Sequence, residues 1–213
     1  MNKRQRKKQI KMHKKHIIKQ NKLLVKHYPF LLPRNVFSDK VPSDYNYNFT
    51  EYDSLLKGWQ IGFGKFLLED LHEACLKTGY LDRLRIEQLK EKYGSMCLYI
   101  NAAPQEVHDV VRNYEFISQY ICGQCGSIHG HVINDYGWYF PLCKKCYEKN
   151  NIRREKRGFH VVPWEKVCRG NEPELPDSYQ VTKFSRDGNK VITYDISEKV
   201  EKIKKKYYKR HKE

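Results

Sequence analysis

The chain has 213 residues, 39% of them hydrophobic, and a formal net charge of +16. That apolar mass suffices for one or two modest domains with a real core, which excludes a chain disordered throughout. No run approaches the roughly 20 apolar residues of a membrane span, and no apolar signal region follows the charged N-terminus, so the expected location is a cytosol.

The charge is carried at the two ends. Residues 1–27 hold 11 Lys and Arg with no Asp or Glu, and residues 197–213 hold 8 against 3 Glu. Residues 28–196 balance at 22 basic and 22 acidic side chains. Cationic ends on a neutral body suit phosphate backbones, anionic lipid headgroups or an acidic protein face.

In chain order, residues 1–27 predict one basic helix or arm, with Ile10, Ile17, Ile18, Leu24 and Val25 on a loose apolar stripe. A helix of this length and charge is marginal in water, so it is expected to order on contact with a partner. Tyr28-Pro29 ends it. Residues 28–57, with three prolines and many aromatics, predict an extended segment anchored on the body.

Residues 58–120 predict an α+β body. Phe63, Leu67, Leu71 and Cys75 recur every four residues on a first helix. Two strands joined near Tyr93-Gly94 follow, although Ile86 and Leu89 break strict alternation. A second helix opens at Pro104 and carries Val107, Val110, Val111, Tyr114 and Ile117. Three glycines in GWQIGFGKF do not fit a phosphate-loop frame, and Trp59 and Phe63 are expected as core anchors. Glu69-x-x-His72 lacks the second such pair that a di-iron site needs, so Glu69, Asp70, His72 and Glu73 are expected to form a solvated face.

Residues 121–150 hold the strongest signal. Cys122 and Cys125 form one C-x-x-C pair and Cys143 and Cys146 a second, with 17 residues between the pairs. Two such knuckles brought together offer four thiolates at tetrahedral corners, the arrangement of a structural zinc ribbon. Gly123 and Gly126 would let backbone N–H groups face the sulfurs, and Lys144 and Lys145 would offset the doubly negative centre. The odd total of seven cysteines and a reducing compartment weaken a disulfide reading. A thioredoxin-like couple would want one C-x-x-C near a βαβ pattern. The expected cofactor is one structural Zn2+. His129 and His131 are expected as polar loop or strand residues, and Cys75, Cys97 and Cys168 as small core residues.

Residues 151–196 predict a basic connector and a hairpin whose loop is Ser185 to Asn189. Residues 197–213 predict a basic helix with Asp195 as N-cap, Glu198 as capping-box partner, and Ile196, Val200, Ile203 and Tyr207 on its apolar stripe. Tyr207 and Tyr208 could stack on bases, Tyr207 being better placed to pack its helix on the body.

No catalytic motif is present in the sequence, so a non-enzymatic role is expected. Lys3, Arg4, Arg6, Lys7 and Lys8, then Arg153, Arg154 and Arg157, are the expected contacts to nucleic acid or to an acidic or ribonucleoprotein surface.

The segments YPFLLPRN, VPSDYNYNFTEYD, GWQIGFGKFLLEDL, RIEQLKEKYGSMCLY, YEFISQYICGQCG and GWYFPLCKKC, in that order, resemble a group of uncharacterised proteins encoded by bacteriophages and prophages. The resemblance spans about residues 28–146 and includes the four cysteines of the paired motif. It implies a zinc-ribbon body and a bacterial host cytoplasm, and no activity. Two functions are compatible with these readings: a nucleic-acid-binding protein, or an inhibitor that docks on a host nucleic-acid-handling complex, for example an anti-CRISPR or other anti-defence protein.

Overall fold

The structure, a computed structural model, describes residues 2–35, 37–168, 174–183 and 190–211. It is α+β, as expected. Helix α1 (Lys3–His27) opens with a reciprocal cap in which Asn2 and Gln5 exchange side-chain and backbone hydrogen bonds. Its first half is exposed, while Val25 and Asn21 are buried near its end. Asn21, absent from the expected stripe, fixes the helix to the body. Its Nδ2 donates to the Tyr47 carbonyl at 3.0 Å and to Asp53 at 3.4 Å.

The segment after α1 contains two 3-10 turns, Pro29–Leu31 and Glu51–Ser54, joined by irregular backbone. Its anchors are Phe30, Leu31 and Leu55, all buried. The first body helix is built from α2 (Lys57–Trp59), a π-helical turn at Gln60–Gly64, and α3 (Lys65–Lys77). Phe63, Leu67, Leu71 and Cys75 all lie in the core, as their spacing requires. Trp59 anchors the start, its indole N–H donating to the carbonyls of Ser118 and Ile121.

Strands β1 (Ile86–Lys92) and β2 (Ser95–Ile100) pair antiparallel. Tyr93 and Gly94 both adopt positive φ, the geometry of a tight hairpin turn. The break in alternation is a register shift between Ile86 and Gln88, which lets both Ile86 and Leu89 face the core. Helix α4 (Gln105–Ser118) packs on α3 and β2. Ser118 joins α4 to the sheet: its hydroxyl donates to the Glu115 carbonyl at 2.6 Å and accepts from the Met96 N–H at 2.8 Å. Ser118→Ala would leave that buried N–H unpaired and is expected to cost about 1–3 kcal/mol in urea unfolding. An unchanged midpoint would remove this role.

A separate small core surrounds the cysteines. It contains β3 (His131–Asp135) and β4 (Trp138–Leu142), an antiparallel hairpin. Helix α5 (Lys144–Glu155) and the short α6 (Trp164–Val167) complete it. Cys122, Ile133, Leu142, Cys143, Tyr147, Trp164 and Cys168 are its buried members. The expected connector after residue 150 is therefore the end of α5, followed by a segment packed into this lobe. Asn151 and Tyr147 hold that segment by donating to the Val162 carbonyl.

Strands β5 (Ser178–Lys183) and β6 (Lys190–Asp195) form the third hairpin. Its expected loop, Ser185 to Asn189, lies outside the described residues, as does Arg169 of the basic run. Helix α7 (Ser197–Arg210) buries Val200 and Ile203 in the main core. Asp195, the expected N-cap, lies one residue before the cap position, which Ile196 occupies without a side-chain cap; the Asp195 carboxylate accepts from the Ser197 N–H at 2.9 Å. Glu198 makes no capping box; it pairs with Lys202 at 2.6 Å, one turn along the same helix.

The expected solvated face of α3 is only half solvated. Glu69 and Glu73 are exposed and pair with Lys65 and Lys77. His72 stacks on His27 at 5.2 Å and meets Tyr28 edge-on, docking the end of α1. Asp70 accepts from Tyr114 at 2.9 Å and pairs with Lys199 of α7 at 2.6 Å. Burial first, and then the Asp70 carboxylate, push the Tyr114 hydroxyl far above its ordinary pKa, so it remains a donor.

Candidate metal centre

Cys122 and Cys125 lie where α4 runs out, and Cys143 and Cys146 at the start of α5, with the β3–β4 hairpin between the two pairs. The fold closes the 17-residue gap. All four sulfurs lie within 4.8 Å of one another, and Cys125 and Cys143 are 3.7 Å apart. A tetrahedron with metal–sulfur bonds of about 2.3 Å has edges of about 3.8 Å, so the cluster has the size to hold one metal ion. His129 and His131 are outside this set. His129 meets Tyr207 edge-on, and His131 lies beside Trp164.

The electrostatics favour a cation. The Cys122 thiol is lowered from its ordinary range, first by the neighbouring Cys125 and Cys143 thiols, with burial acting against them. The N–H groups of Gly123 and Gly126, expected near the sulfurs, donate instead to the carbonyls of Pro141 at 2.7 Å and Cys122 at 2.9 Å. Cys146 is pushed up to about 12, first by burial and then by the Cys122 charge. Cys143 is likewise held protonated, first by its hydrogen bonds to Cys122 and Cys125 and then by burial, and a metal bound there would deprotonate its thiol ligands outright.

The expected offset by Lys144 and Lys145 is not what the structure holds. Lys144 is shared between Glu148 and Glu165, and Lys145 is exposed. A further cation comes from α7: Arg210 donates to the Cys125 carbonyl at 3.0 Å. This hydrogen bond joins residues 85 positions apart, and no local pattern announces it. Burial, with Arg210 and Lys65 nearby, lowers the Lys206 pKa, so α7 brings a crowded positive end to the first knuckle.

Gly58 and Gly62 of GWQIGFGKF serve this site by packing, while Gly64 packs against Tyr52. Gly58 N–H donates to the Gly123 carbonyl at 2.7 Å. A Cβ on Gly58 would sit 2.1 Å from the Cys122 carbonyl oxygen, and one on Gly126 would meet the Gly58 carbonyl at 2.6 Å. Backbone therefore rests on backbone between the start of the body helix and the knuckle, which side chains would prevent.

The expected basic contacts fall into two groups. Lys3, Arg4, Arg6, Lys7 and Lys8 are exposed along the projecting half of α1. Arg153 and Arg157 are exposed at the end of α5. Arg154 is half-buried and ion-paired with Asp135 of β3, so it ties α5 to the hairpin. Tyr207 packs against the main core and Tyr208 is exposed. No helix among the described residues is long and apolar enough to cross a membrane.

Comparison with protein-family models, curated proteins and solved structures finds no match to this chain.

Proposed function

We propose that this chain is a non-enzymatic zinc-ribbon protein that binds nucleic acid through its basic arms, in the phage or prophage setting that its resemblance implies. Zinc is the metal that four thiolates in a tetrahedron suit best, and a site closed by four sulfurs is structural. The observation that carries the nucleic-acid reading is α1. It is a helix without one acidic residue, exposed on all sides over its first half, and bearing five cations between Lys3 and Lys8. Such a rod has no apolar face there to bury and a dense charge to release counterions from phosphate.

The test compares the full chain with a variant in which Lys3, Arg4, Arg6, Lys7 and Lys8 are all Gln. Truncation at residue 196 is unsuitable, because it would strip Val200 and Ile203 from the core. Binding to an RNA and to a DNA duplex, followed across a salt series, is expected to be steeply salt-dependent. The variant should flatten the slope by about 0.9 for each duplex phosphate that it no longer neutralises. If the full chain binds neither nucleic acid near physiological salt, the arms serve a protein partner, as in an inhibitor of a host complex, and the nucleic-acid reading falls.

A further inference from the structure

The β3–β4 hairpin carries an exposed aromatic face, which its own lobe engages through the Tyr136 hydroxyl, hydrogen-bonded to His160 at 2.8 Å. Trp138, Tyr136 and Phe140 are 71%, 64% and 41% exposed. All three line a cleft of about 710 Å3 between the hairpin and α5. Strand alternation explains the grouping. Trp138 and Phe140, two positions apart, share the cleft side, while Tyr139 between them turns to Tyr93 and Asn134.

The cleft has a cationic rim. Arg153 lines it and makes no ion pair among the described residues, and exposed Arg157 lies in the turn that follows α5, outside the lining. Arg154 also lines it, but its charge is matched by Asp135. Two acceptors among the lining residues, Asp135 Oδ1 and Asn151 Oδ1, are buried without a hydrogen-bond partner. Asn151 itself is only 9% exposed. Unpaired acceptors beside an open apolar wall are what an amino group on a planar ring would satisfy.

From these observations we infer that the cleft is a stacking site for unpaired bases, so that the nucleic acid bound is single-stranded. The inference rests on the nucleic-acid reading above and specifies its substrate. Flat aromatic faces with cations at the edge take bases and their phosphates in any sequence. A duplex keeps its base faces covered and offers this cleft nothing but backbone. An apolar peptide would use the aromatics but leave Arg153 and Arg157 without a role, and the charge of +16 favours a polyanion.

The experiment titrates the full chain with an oligo-dC strand, whose bases carry the amino group, and with a duplex of equal length at one salt concentration and neutral pH. Tryptophan emission is recorded alongside affinity. Trp59 and Trp164 are buried, so quenching reports Trp138. The strand is expected to bind at least about tenfold tighter than the duplex and to quench emission. Trp138→Ala/Phe140→Ala should lose about 10- to 100-fold for the strand and nothing for the duplex.

If strand and duplex bind alike and the double variant changes neither, the arms stand and the stacking site is overturned. If neither binds, both readings fall. If sedimentation shows a wild-type dimer that the double variant abolishes, the face covers a second copy and the inference is again overturned. Retained zinc certifies the variant's fold; if it is lost, quenching of the wild-type chain decides.

Discussion

Removal of the metal is expected to unfold the cysteine lobe while the main body stays folded. The two have separate cores, and Cys122 and Cys143 are members of the smaller one. With so few other buried side chains, that lobe is expected to depend on the cross-link that a metal held by its four cysteines would make. Structural zinc in small domains contributes about 10–16 kcal/mol of apparent binding free energy at neutral pH. Elemental analysis should give about one zinc per chain, and Cys143→Ser should abolish it. Emission from buried Trp164 should shift toward that of a solvated indole, while amide protection in α3 and α4 persists. The same loss is expected on acidification. Binding needs four thiolates, so the stabilisation is present at neutral pH and disappears as protons compete for the sulfurs. A metal-free chain with an intact lobe would refute the assignment.

Gly58→Ala is expected to be the most disruptive Gly→Ala change among the described residues. The new carbon would lie 2.1 Å from the Cys122 carbonyl oxygen and 2.4 Å from the Gly123 carbonyl carbon. Both are backbone, so neither can rotate away. The start of the body helix and the first knuckle must separate, breaking the Gly58–Gly123 hydrogen bond and displacing a metal ligand. A cost of about 3 kcal/mol or more is expected, at the upper end of overpacking effects, together with faster zinc loss to a chelator. Gly79→Ala is the control: a Cβ there meets nothing within 4 Å, although its φ of +62° carries a modest backbone cost. Equal effects of the two substitutions would show that packing against the knuckle is not what makes Gly58 necessary.

The cysteine cluster, which could hold a metal ion, was legible because spacing encodes it: a C-x-x-C turn places two sulfurs on one side whatever the rest of the chain does. The body helices were legible for a similar reason, since Phe63, Leu67, Leu71 and Cys75 form a face by their period alone. Periodicity failed where a side chain's role depended on distant partners. Asp70 and His72 looked solvated because their partners, Lys199, Tyr114, His27 and Tyr28, lie far away along the chain. Helix α5 was hidden by a basic sequence whose buried residues, Tyr147 and Asn151, form no continuous apolar stripe.

By itself, then, the sequence determined an α+β chain with four clustered thiols and two cationic ends, because composition, period and short spacings act locally. Tertiary structure alone decided that Arg210 reaches the Cys125 carbonyl, that Gly58 must lack a side chain, and that Trp138 and Phe140 remain uncovered beside Arg153. Each is a statement about which surfaces meet or fail to meet. Such meetings are set by the packing of whole elements, and no short stretch of the chain records them.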